Sequence, residues 1–175
     1  QNINLSVVIR PTGLFIANQF ALSAAAAIAV HQFFAKYAGQ EDTRIKWPND
    51  IYWRDRKAAG ILIDNVLSPA STSGVTDWKW SVIGIGININ TASFPAHLQH
   101  AVSLKQITGQ AFDITTLAKE LFIKAAWGLI LAYAIIVIEF AAQLATLGLK
   151  RGLAQRLSNT DQPHVWIVWD GLLAA

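Results

Sequence analysis

The run VIGIGININ at residues 82–90 constrains the fold more than any other stretch of the chain. Successive side chains of a strand point to opposite faces of its sheet. Read that way, Ile83, Ile85, Ile87 and Ile89 fall on one face, and Gly84, Gly86, Asn88 and Asn90 on the other. The isoleucine face has to pack into a core. The opposite face is bare at two positions and polar at two, which packs poorly but suits a slot for a flat ligand. It is not a dinucleotide-binding fingerprint, because no helix-forming sequence follows the glycines. The sequence therefore predicts a strand with one buried and one open face.

The rest of the chain supplies partners for such a strand. Residues 4–10 read as a strand closed by Pro11-Thr12-Gly13. Residues 15–37 are alanine-rich without internal Pro or Gly and read as a helix ending before Gly39. Residues 43–47 form a short strand stopped by Pro48. The apolar runs 51–53 and 59–63 flank Arg54-Asp55-Arg56-Lys57, which predicts a hairpin with a charged turn. Residues 68–77 are a loop. Asp113 is placed to cap a helix that starts near Thr115 and runs to about Leu149, where Lys150-Arg151-Gly152 ends it. Residues 164–169 then read as a strand of a partial second unit. This order lacks regular βαβ alternation, so the class is α+β.

Composition sets the remaining bounds. A chain of 175 residues suits one domain, or one domain and a fragment of another. With 53% hydrophobic and 14% charged residues it can form a core, which excludes a disordered acidic or basic tail. Cysteine is absent, so disulfides and thiolate metal sites are excluded. The net charge of +3 is mild. The densest basic cluster, Arg54, Arg56 and Lys57, fits one small anion better than a nucleic-acid backbone. The chain opens without Met directly into strand-like sequence, so its natural start is expected upstream of Gln1. Residues 125–138 carry no charge between Lys124 and Glu139. As a helix that run rises about 21 Å, short of a hydrocarbon core of about 30 Å, and a buried helix is expected there.

Two more segments carry chemistry. In Lys46-Trp47-Pro48-Asn49-Asp50, Pro48 turns the chain sharply out of its strand. Asn49 can donate and accept hydrogen bonds, and Asp50 can ligate a metal or act as a base. Alone, the segment is also an ordinary Pro-Asn-Asp turn. In Lys57-Ala58-Ala59-Gly60-Ile61-Leu62-Ile63-Asp64, a lysine opens an apolar strand. Its ammonium can meet a carboxylate or phosphate while its stem lies on the sheet. Gly60 lets a flat ligand approach the backbone. Alone, this is also a solvated turn lysine before a buried strand.

Together KWPND, a lysine seven residues after its Asp, GIL and GIGIN resemble the biotin protein ligases, in that family's order and near its spacing. Ser103-Leu104 followed by Gly109 resembles a weaker SL…G segment of the same family. The resemblance covers about residues 4–121. It implies a mixed sheet with helices on one side, similar to class II aminoacyl-tRNA synthetases. It also implies a catalytic domain over residues 1–149 and the remnant of an SH3-like barrel over residues 150–175. The implied reaction joins biotin to ATP as biotinyl-5′-AMP, then passes biotin to a lysine of a biotin carboxyl carrier protein. The implied site has Lys57 and Asp50 as catalytic residues. Lys57, Gly60, Leu62, Gly84 and Gly86 line the biotin slot, and Lys46, Asn49, Ile63 and Asn88 meet the nucleotide. Asn49 is also placed near Mg²⁺. The resemblance further implies a cytoplasmic enzyme with no membrane, a possible homodimer, and DNA binding only if a winged helix precedes Gln1. The family's GRGRxGR loop would lie upstream of Gln1, and its usual glutamate after GIL is Asp64 here. A lipoate or octanoate transferase, and a non-catalytic biotin-binding regulator, are the rival readings.

Overall fold

The computed structural model describes residues 1–11, 16–69 and 76–158. Five strands form a single sheet: β1 (Ile3–Ile9), β2 (Thr43–Lys46), β3 (Asp50–Trp53), β4 (Arg56–Leu67) and β5 (Trp78–Ile87). Their order across the sheet is β1-β5-β4-β3-β2, and every neighbouring pair is antiparallel. The mixed sheet expected from the resemblance is thus corrected. Among the described residues the only parallel pairing of this kind is an isolated bridge between Lys57 and Ala101. The β3–β4 hairpin closes through Arg54 and Asp55, with Arg54 in the left-handed region at φ 55°.

The expected alternation holds along the sheet. Ile3, Ile87, Ala59 and Ile51 share one cross-strand row of the covered face, and Leu5, Ile85 and Ile61 the next. Helix α1 (Gln19–Ala38) lies on that face and buries Leu22, Ala26, Val30, Phe33 and Phe34. Its many alanines let a neighbour approach closely. A Cβ on Gly128 would come within 3.3 Å of the Ala29 Cβ, so glycine lets the last long helix lie tight against α1. Lys36 and Tyr37 on α1 bind the Glu120 carboxylate, the tyrosine hydroxyl donating at 2.6 Å. Burial acts to raise the Glu120 carboxyl, but the Tyr37 hydroxyl and then Lys36 outweigh it and hold it below the usual carboxylate range.

The Ser103-Leu104…Gly109 segment has a plain structural basis. It is a short helix, α2 (Leu104–Thr108), held at both ends. Ser103 Oγ accepts from the Gln106 N–H at 3.1 Å, and the Gln106 side chain accepts from the Ser103 N–H. Gly109 ends the helix in the left-handed region at φ 74°.

Helix α3 (Ile114–Ser158) starts as expected, with Asp113 Oδ1 accepting from the Thr116 N–H at 2.8 Å. It runs on through Gly152, past the expected stop. A glycine in a helix costs only about 1 kcal/mol, which a long helix tolerates. Leu117, Leu121 and Ala125 reach the core. The expected burial of residues 125–138 holds at Ala125 and in part at Leu129 but not over the rest of the run: Trp127, Ile130, Leu131, Ile135 and Ile138 are all exposed. Ile114–Gly148 is long and apolar enough, by length and composition, to cross a membrane. The chain divides into two compact units, Gln1–Ile136 and Val137–Ala175. The expected strand at 164–169, and with it most of the expected barrel remnant, lies outside the described residues, as do residues 12–13 of the first turn and residues 70–75 of the expected loop.

Candidate functional site

The open face of the sheet is built row by row. Asn4, Gly86, Gly60, Asp50 and Lys46 stand opposite one another across all five strands, and Ser6, Gly84 and Leu62 form the adjacent row. None of the three glycines is demanded by the backbone, since none has a positive φ. Nor does packing forbid a side chain there. A Cβ on Gly84 would meet only the Leu62 carbonyl at 3.7 Å, and one on Gly86 only the Asn4 Oδ1 at 3.6 Å. Glycine at 84 and 86 therefore keeps space open, among the described residues, that the fold itself would allow to be filled. Beside this floor Leu62 is 71% exposed, an apolar residue on the face that none of the described residues covers.

Lys57 and Asp50 meet at one end of the glycine floor. Lys57 Nζ lies 2.6 Å from Asp50 Oδ1. A Cβ on Gly60 would sit 3.4 Å from that ammonium and 3.5 Å from that carboxylate oxygen, so the pair lies directly over Gly60. Both backbones are pinned. The Lys57 N–H donates to the His100 carbonyl at 2.7 Å, and its carbonyl accepts from the Val102 N–H at 2.9 Å. Asp50 follows Asn49, which pairs with Ile61 twice. The Ile61 N–H donates to the Asn49 carbonyl at 2.8 Å, and Asn49 Nδ2 donates to the Ile61 carbonyl at 3.0 Å. Asn49 thus continues the sheet by one side chain and fixes the corner from which Asp50 projects.

Not every residue implied by the resemblance arrives at this face. Ile63 pairs with Ile83 on the covered side and packs against the core, so only its backbone is available to a nucleotide. The basic cluster splits up. Arg54 is bound to Asp42 at 3.1 and 3.3 Å, and that hydrogen bond is the main cause holding its guanidinium above its ordinary value. Arg56 lies over the Trp53 ring at 5.4 Å. Lys57 alone of the three turns to the glycine floor. Lys46 leans on Tyr52, 5.0 Å from its ring centroid. Asn88 and Asn90 lie past the end of β5, where the alternation continues with Ile89 fully buried between them. The Asn88 N–H donates to the Ala58 carbonyl at 3.0 Å. The Asn90 side chain is committed to the Phe112 backbone, donating at 2.8 Å and accepting at 2.9 Å, so it has a structural role.

The sequence reading missed Asn4. It is exposed and shares the row of Gly86, Gly60 and Asp50. The alternation of Asn4 and Ser6 with Ile3, Leu5 and Val7 carried that signal. The described residues contain no group of three or more His, Asp or Glu side chains able to hold a metal ion. Asn49 Oδ1 is a single neutral oxygen. A Mg²⁺ ion would therefore depend on the phosphates of its nucleotide for most of its ligands, as is usual for that ion.

An open glycine floor ends at a lysine–carboxylate pair on an antiparallel α+β sheet, a shape and charge that suit a small anionic ligand. Residues 1–88 match the Biotin/lipoate A/B protein ligase family, and the chain belongs to that family. Within it the similarities run to the biotin protein ligases. The bifunctional ligase/repressor BirA of Bacillus spizizenii is 37% identical over 112 residues, which are 62% of this chain and 32% of that protein. BirA of Escherichia coli is 45% identical over 51 residues, 29% of this chain and 14% of that protein. The chain spans about a third of the length of the Bacillus relative. The biotin protein ligase of Aquifex aeolicus shares the fold with a TM-score of 0.60 at 21% identity, over 76% of this chain and 55% of that one. Its complex with biotin and ATP matches with a TM-score of 0.59 at 23% identity, over 73% and 50%.

Proposed function

We propose that the chain carries the site of a biotin protein ligase, which activates biotin with ATP to biotinyl-5′-AMP and transfers it to a lysine of a carrier protein. The observation that supports this most is the glycine floor, kept empty where the fold would accept side chains, ending at the Lys57 ammonium. A flat bicyclic ring fits against Gly60, Gly84 and Gly86, with Leu62 beside it. Lys57 then holds the carboxylate and, in the second state, the phosphate of the adenylate. Two anions must meet in the first step, and a cation between them lowers that repulsion. ATP would be held by Lys46, Asn49, Asn88 and the backbone near Ile63, with Mg²⁺ arriving on its phosphates. A cytoplasmic reaction is the reading that the resemblance to biotin protein ligases supports.

Asp50 serves the second step. The acceptor lysine arrives as an ammonium and cannot attack until it loses a proton. The Asp50 carboxylate takes that proton, the amine nitrogen attacks the acyl carbon, and the bond to the phosphate oxygen breaks. AMP leaves with the electron pair, the nitrogen gives its second proton to solvent, and an amide remains.

The test uses the complete protein with biotin, ATP and a biotin carrier domain. Quenched-flow measurement should show a pyrophosphate burst followed by biotin on the carrier. Asp50→Ala should keep the burst, accumulate the adenylate and slow transfer by about 10²- to 10⁴-fold, the usual worth of a general base. Loss of the burst would instead assign Asp50 to the metal or the nucleotide. Equal use of lipoate or octanoate in place of biotin would overturn the substrate.

A further inference from the structure

We infer that the Asp50 carboxylate is the resident anion of the Lys57 site, and that the incoming ligand's anionic oxygen displaces it. The inference rests on the reading of Lys57 as the ligand's anchor. It adds an exchange of partners. The Lys57 ammonium is already occupied, by a carboxylate 2.6 Å away that belongs to the protein itself. That carboxylate stands directly over Gly60, on the floor where the ligand's own carboxylate has to arrive. Two carboxylates on one ammonium repel each other, and the slot has one cation to share between them. The ligand therefore has to break the pair in order to bind.

The structure is arranged so that only side chains need to move. Lys57 is fixed through its N–H and its carbonyl, and Asp50 through its pairing with Gly60 and Lys46. The Lys57 side chain is 46% exposed and the Asp50 side chain 20%. The lysine stem has room to swing towards the glycines, and the Asp50 carboxylate stays at the corner that Asn49 fixes. An ion pair at this exposure is weak, so a ligand with its own charge-assisted hydrogen bond can displace it.

The exchange has a consequence for the order of steps. While Lys57 holds Asp50, the carboxylate oxygen faces the Lys57 ammonium and not an incoming amine. Once a bound carboxylate or adenylate phosphate takes over Lys57, Asp50 is released at the edge of the slot. A base for the acceptor lysine then exists only when there is something to transfer. Asp50 acts here as a positioning residue for Lys57 in the empty site and as the base in the loaded one.

The experiment needs neither ATP nor a carrier. Biotin and the uncharged biotin amide are titrated calorimetrically into the wild-type protein and into Asp50→Asn, and the wild-type complex with biotin is crystallised. Removing the competing charge should tighten biotin binding roughly three- to fivefold, the size of an ion pair at this exposure, and change amide binding less than about twofold. In the complex, Lys57 Nζ should contact the biotin carboxylate and lie beyond about 4 Å, the limit of an ion pair, from Asp50 Oδ1. Biotin bound with the Lys57–Asp50 pair still closed would overturn the exchange and leave the biotin site standing. Unchanged or weaker biotin binding by Asp50→Asn would do the same. No biotin binding by either protein would remove the ligase reading and the exchange with it.

Discussion

The two faces of the sheet use the same strands for opposite purposes. On one face Ile83, Ile85 and Ile87 are almost wholly buried in the core, and their identities are set by packing. On the other, Gly84 and Gly86 leave room that none of the described residues fills, Gly60 lies under the Lys57–Asp50 pair, and Leu62 is exposed. A side chain removed from the first face leaves a cavity, whereas one added to the second fills a slot. Stability and ligand binding are therefore separable by face, even though the residues alternate one by one along a strand.

That separation can be broken or sharpened by substitution. The largest effect is expected on the covered side. Phe33 is fully buried between α1 and the sheet, and Phe33→Ala should cost about 3–5 kcal/mol of stability, read by urea denaturation. A loss below about 1 kcal/mol would mean that the α1–sheet contact is not the core. On the open side, Gly86→Val should abolish biotin binding while shifting the urea midpoint little, because its Cβ meets only the Asn4 side chain at 3.6 Å. Normal biotin affinity in that variant would move the slot elsewhere.

Lys57→Ala should weaken biotin binding about 10- to 100-fold, the worth of a charged hydrogen bond, with stability unchanged. Isothermal titration checks it, and a fall in stability with intact affinity would reassign Lys57 to the fold. The smallest effect is expected at the helix clamp. Glu120 sits below the usual carboxylate range, so its contribution is present above the ordinary carboxylate value and lost as pH falls through the depressed one. Glu120→Gln should cost about 1 kcal/mol near neutral pH, and its acid unfolding curve should be shallower than wild type in that window. Parallel acid curves for the two proteins would show that the Tyr37–Glu120 contact does not support α3.

The two long helices show how far composition can be trusted. Both are rich in alanine and large apolar residues. Residues 15–37 were expected to be a helix, and α1 does bury an apolar stripe of Leu22, Ala26, Val30 and Phe33 on the sheet. Residues 125–138 were expected to be buried for the same reason, yet α3 exposes Trp127, Ile130, Leu131 and Ile135. Periodicity tells which way a side chain points on its own helix. It does not tell whether a neighbour stands there.

The sequence by itself determined the elements with strong local causes. Alternation assigned the two faces of β5, Asp113 capped its helix, and KWPND, the lysine, GIL and GIGIN pointed to the family. Each depends on residues within a few positions of one another, where backbone geometry leaves little choice. Tertiary structure decided which of those residues meet. The row from Asn4 through Gly86, Gly60 and Asp50 to Lys46 exists only through strand register, which is set by pairing between distant segments. The same pairing turned Ile63 into the core, and other long-range contacts tied Asn90 to Phe112 and spent Arg54 on Asp42. It also placed Asp50 2.6 Å from Lys57, because an electrostatic partner seven residues away in sequence is chosen by the fold of the hairpin between them.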